Sequence, residues 1–225
     1  MKKKTSGNND IYKSIYEKIL SGEYPAGYHL VEMDLAAEYH VSRTPVRLAI
    51  ERLVAEGLAK HVPHKGAVVR RMTRTDILNM FAVREVTEGL AARLASQHVT
   101  EEDRIALNGI MQEMDQALES QDLHAYYSVC GKVHSYIFDL AQNEFLRDII
   151  QNIYAITSRY HVAVLRLPGR PSGSKEEHHL VVEAVLSGDG DLAERTMKEH
   201  VRHCGDFYRD EQNQLLFRSL AQLEW

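Results

Sequence analysis

Cysteine is scarce: Cys130 and Cys204 are the only two in 225 residues. Two thiols do not build a disulfide framework, and a reducing cytoplasm is the compartment this usage suggests. Long apolar runs are missing as well. No window approaches the roughly 18 residues of a membrane span, so no membrane partner is expected. The opening MKKKTSGNND is basic, but no apolar core follows it, which argues against a secretory signal. Residues 1–10 read instead as a disordered basic arm. Internal repeats and low-complexity tracts are absent, and so is a HExxH-type pairing of two zinc ligands with a general base. What is present suits one or two globular domains, 44% hydrophobic and 26% charged.

The net charge of −5 is unevenly spread. Residues 1–72 carry 12 Lys and Arg against 8 Asp and Glu, whereas the remainder carries 15 against 24. A basic module that meets a polyanion, joined to an acidic one that does not, fits this split; so does ordinary surface variation. Ile11, Ile15 and Ile19, spaced by fours behind Asp10 as N-cap, predict a helix. SGEYPAG ends it. HLVEMDLAAEYHV predicts a short second helix. VSRTPVRLAIERLVAEGL predicts a third, with Ser42 as N-cap and Pro45 in the first turn, where its missing N–H costs nothing. Two β-type runs, 58–62 and 67–71, flank PHKG, which suits a hairpin tip. Beyond RRMTRTD no convincing strand occurs. Helical periods broken at 99–100, 121–122, 142–143, LPGRPSGS and SGDGD predict six or seven helices, one of them capped by Thr100 and its acidic followers.

Val46, Ala49, Ile50, Leu53 and Val54 form one apolar stripe on the third helix. Arg43, Thr44 and Arg47 are then left at its exposed N-terminal end. A recognition helix enters the major groove with such residues, arginine pairing bidentately with guanine, while Thr44 and first-turn N–H groups hold phosphate. Lys65 and Gly66, with His64, suit a wing in the neighbouring minor groove. An amphipathic helix with a basic end would explain the segment in isolation. Helix order, cap, paired arginines and wing together point to double-stranded DNA.

The stretch EMDLAAEYHVSRTPVRLAIERLVAEGLAKHVPHKGAVV resembles the winged helix-turn-helix of the GntR family of bacterial transcription regulators. The resemblance spans most of residues 11–71. It implies that Arg43, Thr44, Arg47 and Gly66 lie on DNA, and that the chain is a homodimer on a short palindromic operator. Met33 stands where a basic residue is common in the family. The expected fold is mainly α: a winged helix-turn-helix over 11–72, an all-α effector-binding and dimerisation bundle over 76–211, and a C-terminal tail over 212–225.

In the second module Cys130 and His134 are four apart and share a helix face. His178 opens a helix, and His200 lies in the stripe Met197, His200, Cys204, Phe207. Such residues on separate helices of a bundle could converge on zinc or nickel; hydrogen-bonded core histidines are the alternative. FAVREVTEGLAARLAS, HSYIFDLAQN and EEHHLVVEAVLSGDGDLAERTMKEHV are similar to the FCD effector domain of the FadR subfamily, over about 76–208. That similarity implies a divalent metal bound by one aspartate and three histidines. His134, His178 and His200 fall on the histidine positions, His179 points away, and Cys130 takes the aspartate's place. Cys130 is then a thiolate ligand, or a small buried residue beside a three-histidine site open to solvent or effector, or there is no metal.

The resemblance also implies a small carboxylate effector, contacted by the metal and by an arginine. Arg84 matches a position often basic in the family; an i,i+4 pair with Glu88 on a solvated face is its alternative. Arg159 and His161 are further candidates, and Tyr126, Tyr127 and Tyr160 line the pocket or the core. The expected function is a ligand-responsive transcription regulator, not an enzyme, with repression the commoner outcome in the family. A DNA-binding dimer that senses nothing is one alternative. A metal-dependent hydrolase with a three-histidine zinc is another.

Overall fold

A computed structural model describes residues 6–63, 66–165, 169–210 and 213. They divide into two units, one through Arg74 and one from Thr75. The first contains α1 (Ser6–Ser21), β1 (His29–Leu30), α2 (Glu32–Glu38), α3 (Arg43–Ala55), β2 (Ala59–Val62) and β3 (Gly66–Val69). Ile11, Ile15 and Ile19 of α1 pack with Leu35, Val46, Ile50, Leu53 and Val69 in one core, as the helical spacing of these residues requires. Helix α1 begins at Ser6, so part of the expected arm is helical and Asp10 lies inside the helix rather than at its cap. Buried Ile11 and Tyr12 anchor that end. Adding residues to an anchored helix avoids the cost of nucleation.

Strand β1 was not expected, because His29–Leu30 reads as the start of the second helix. The strand exists through its partner: the sheet order is β1-β3-β2, with His29 opposite Val68 and Ala59 opposite Val69, all antiparallel. Gly27, at φ +86°, turns the chain so that its N–H donates to the Val69 carbonyl at 2.9 Å. Ser42 is the α3 N-cap by position, although its side chain makes no capping bond.

The second unit contains α4 (Arg74–Ser96), α5 (Glu101–Glu119), α6 (Leu123–Leu140), α7 (Glu144–Leu165), α8 (Arg170–Leu186) and α9 (Gly190–Arg209), and no strand among the described residues. Thr100 and Asp103 form a reciprocal capping box on α5. The expected breaks at 121–122, 142–143 and SGDGD are real: Gln121, Gln142 and Gly188 take left-handed φ values of 57°, 52° and 78° after their helices. LPGRPSGS behaves differently. Left-handed Gly169 precedes α8 and Pro171 sits in its first turn, so most of that stretch is helix and His178 lies mid-helix. Ile77, Phe81, Leu107, Met114, Val133, Ile137, Val185, Met197 and Tyr208 fill the interior. No described helix is long and apolar enough to cross a membrane.

Candidate metal centre and nucleic-acid interface

Helices α6, α8 and α9 each bring one buried histidine to a common point: His134, His178 and His200. Their ligand nitrogens all lie within 4.8 Å of one another. His134 Nε2 and His200 Nε2 are 3.2 Å apart. Two nitrogens bound tetrahedrally to zinc at about 2.0–2.1 Å stand roughly 3.3 Å from each other, so this pair already has a chelating separation.

The opposite ring nitrogens are held from outside. His178 Nδ1 lies 2.6 Å from the Ser174 carbonyl oxygen, and His200 Nδ1 lies 2.9 Å from Glu177 Oε2. Both partners accept, which assigns the protons to Nδ1 and leaves a lone pair on each Nε2. His134 Nδ1 is 3.1 Å from Glu88 Oε2, within ion-pair distance but without hydrogen-bond alignment. His178 Nε2 is buried and has no hydrogen-bond partner. Burial pushes His178 well below the usual imidazole value and lowers His200 to about 4 despite Glu177. Both are therefore neutral near pH 7, the form that ligates metal.

Two carboxylate–arginine pairs flank the histidines. Glu88 and Arg84, 0% and 2% exposed, meet at 2.5 Å, and the Tyr154 hydroxyl donates to Glu88 at 2.9 Å. Burial alone would raise the Glu88 carboxyl, yet Arg84 and His134 hold it well below the carboxylate range. Arg170 donates to both oxygens of Glu177 at 2.8 Å. Burial likewise pushes Glu177 upward, but bonds to His200 and Arg170 bring it to about 2. A cavity of about 230 Å³ opens among Arg84, Tyr127, Cys130, the three histidines, Arg170 and Cys204.

Cys130 lines this cavity, but its sulfur does not join the cluster of donor atoms. Burial pushes its thiol up to about 12. The sulfur near the cluster is that of Cys204, grouped with Glu177 and His200 and 3.0 Å from an Arg170 nitrogen. Arg84 does pair with Glu88, on the buried side of α4 rather than on a solvated face. Tyr126 is core, its hydroxyl donating to the Pro171 carbonyl, whereas Tyr127 lines the cavity. His179 faces away, with Nε2 3.2 Å from Asp115. The side chains of Arg159, Tyr160 and His161 lie outside the described residues. Sequence reasoning missed Glu177, Arg170, Ser174 and Tyr154, and named Glu88 only as a solvated alternative partner of Arg84, whereas the pair is buried. Glu177 adjoins His178 in EEHH, the one local hint; Arg170 lay in a stretch read as a break.

On α3, Val46, Ala49, Ile50 and Leu53 are buried, and Arg43, Thr44 and Arg47 are exposed. Leu48, half exposed and unforeseen, shares that surface. Arg43 holds Glu32 at 2.9 Å across an exposed pair of the kind worth about 0–1 kcal/mol, readily exchanged for a stronger anion. Gly66, at φ +76°, is exposed where β3 leaves the hairpin tip; His64 and Lys65 lie outside the described residues.

Residues 8–69 match the bacterial regulatory proteins of the gntR family, and residues 79–203 match the FCD domain. The chain is 25% identical over 202 residues to the HTH-type transcriptional repressor RspR of Escherichia coli K12, covering 90% of this chain and 89% of that one. It is 27% identical over 198 residues to a probable D-xylose utilization operon transcriptional repressor of Paenarthrobacter nicotinovorans, covering 88% and 87%. Among solved structures, Escherichia coli McbR/YncC superposes with a TM-score of 0.74 at 20% identity, covering 92% and 98%.

Proposed function

The chain belongs to the gntR family of bacterial regulatory proteins and carries an FCD domain; from that membership we propose a homodimeric repressor whose helical domain senses a small anionic metabolite through a divalent metal. That it is a transcription regulator and not an enzyme follows from its family and its relatives. The observation that carries the sensing reading is the buried, unpartnered Nε2 of His178, set beside the Nε2 atoms of His134 and His200. An orphaned buried acceptor is costly. Here it belongs to three imidazoles whose other nitrogens face a carbonyl and two carboxylates, the outer arrangement usual for metal-ligating histidine. A divalent ion there supplies positive charge and open positions for anionic oxygens.

Charge balance supports an anion as effector. Arg84 cancels Glu88 and Arg170 cancels Glu177. Burial raises both cysteine thiols, so they stay neutral. Among the described residues the cavity therefore has no net charge of its own. A divalent ion held by three neutral imidazoles makes it +2, and a small carboxylate or dicarboxylate answers that charge. On DNA, Arg43, Thr44 and Arg47 read and position, with Gly66 and Lys65 at the wing.

The test begins with elemental analysis of chelator-free protein beside His178→Ala. The expected parent carries about one zinc- or nickel-class ion per chain and the variant none. A carboxylate at about a hundred times its Kd should then add about 2.7 kcal/mol of stability, in the metal-loaded form alone, and release operator DNA. A parent that stays metal-free after incubation with zinc and with nickel removes the sensing reading and leaves a metal-independent regulator.

A further inference from the structure

Helix α3 turns about 100° per residue. With Val46, Ala49, Ile50 and Leu53 on its core side, Thr44, Leu48 and Glu51 fall within about 60° of one another on the opposite side. Arg43 and Arg47 stand to one flank of that line and Arg52 to the other, and all six residues are exposed. Arg52 donates to Glu56 at 2.8 Å and lies over the Tyr12 ring, so it is turned toward α1. Glu51 Oε2 is 3.2 Å from His61 Nε2 on β2. Leu48, 50% exposed, has no group that donates or accepts a hydrogen bond. The middle of the helix face that enters the major groove is therefore apolar.

Among the described residues of this unit, the large hydrophobic side chains that stay exposed are Tyr28, Val31, Met33, Val41 and Leu48. They gather around the starts of α2 and α3, which the Arg43–Glu32 contact at 2.9 Å draws together. A lone exposed leucine on a protein surface needs no explanation; one at the centre of a DNA-reading face has a chemical consequence. Whatever base edge closes over it loses water and receives no hydrogen bond in return. In the major groove guanine, adenine and cytosine present hydrogen-bonding atoms, whereas thymine adds a C5-methyl group.

We propose that Leu48 is a specificity-determining residue, packing on the C5-methyl of one thymine in each operator half-site, next to the base that Arg47 reads. The contact selects in two ways. It removes a methyl group from water, and it penalises the other bases, whose polar atoms it would leave unpaired. Arg47, reaching in from the flank, supplies the hydrogen bonds that leucine cannot. The inference rests on the DNA contacts within the proposed function and is independent of metal and effector.

The probes are duplexes enriched by the full chain from a randomised pool. Each thymine is replaced in turn by 2′-deoxyuridine, which removes the methyl group alone, and affinity is measured by anisotropy for the parent, Leu48→Ala and Arg47→Ala. The expected result is one thymine per half-site whose replacement weakens the parent about fourfold, the worth of one buried methyl-sized group. Leu48→Ala should be indifferent to the same replacement, whereas Arg47→Ala, weaker on every duplex, should keep the penalty. Enrichment with Leu48→Asn should move the preference at that position from thymine to adenine, whose N6 and N7 an asparagine can pair. A parent indifferent to every replacement, or a Leu48→Ala variant with the parent's penalty, overturns the contact and leaves the DNA-binding reading standing. A parent that enriches no duplex overturns both.

Discussion

Replacing Glu88 by leucine isolates the consequences of one buried charge. The carboxylate lies 2.5 Å from Arg84 Nε, accepts from Tyr154 at 2.9 Å and stands 3.1 Å from His134 Nδ1. The Glu88 and Arg84 side chains are 0% and 3% exposed, so water does not replace the lost partner. Removing one member of a buried pair costs about 3–5 kcal/mol. For a domain of this size each kcal/mol lowers the melting temperature by roughly 2–4 °C, so Glu88→Leu should melt about 6–20 °C below the parent. Adding Arg84→Met should restore most of that, because an apolar pair of similar volume is neutral or stabilising. Neither variant retains the carboxylate that faces His134, so zinc affinity should fall about 10–100-fold in both. Calorimetry and competition with a chromophoric chelator separate the two effects. A single variant melting within about 2 °C of the parent would refute the isolation of the pair from water. Full zinc affinity in either variant would refute Glu88 as the group that orients His134.

Arg47→Ala should weaken operator binding by about 1–3 kcal/mol and relax preference at one base position; unchanged anisotropy titrations would remove Arg47 from the reading surface. Thr100→Ala should cost about 1 kcal/mol through the α5 cap. The Thr100 backbone N–H, then the Tyr136 hydroxyl and the Thr100 hydroxyl, which donates to Asp103 Oδ2 at 2.8 Å, hold the Asp103 carboxyl below its ordinary 3.8, and of these Thr100→Ala removes only the last. Its contribution is therefore complete above that value and is lost as pH falls through the depressed one. The melting difference between parent and Thr100→Ala should be constant near neutrality and shrink in acid.

The fold was legible wherever neighbours within four residues decide the outcome. Ile11, Ile15 and Ile19 declare the buried face of α1, and Thr100 with Asp103 declares the start of α5. The site was half legible. Resemblance marked His134, His178 and His200 as one set, and the structure brings those three together. It also marked Cys130, whose sulfur stays outside the cluster while Cys204 lies nearer. LPGRPSGS misled because proline and glycine punctuate loops and helix starts alike.

The sequence by itself determined the order of helices, the Thr100 cap of α5, the hairpin, the basic end of α3 and the family. Each of these depends on periodicity, turn chemistry or a contiguous motif. Tertiary structure alone decided that His29–Leu30 is a strand, because a two-residue strand exists only through its partner β3. It also decided that Arg84 and Glu88 face inward and that Glu177, 23 residues before His200, holds that ring's Nδ1. Spacing along the chain states which side chains share a face of one helix. How α6, α8 and α9 rotate and pack determines which of those faces meet, and no local pattern encodes that.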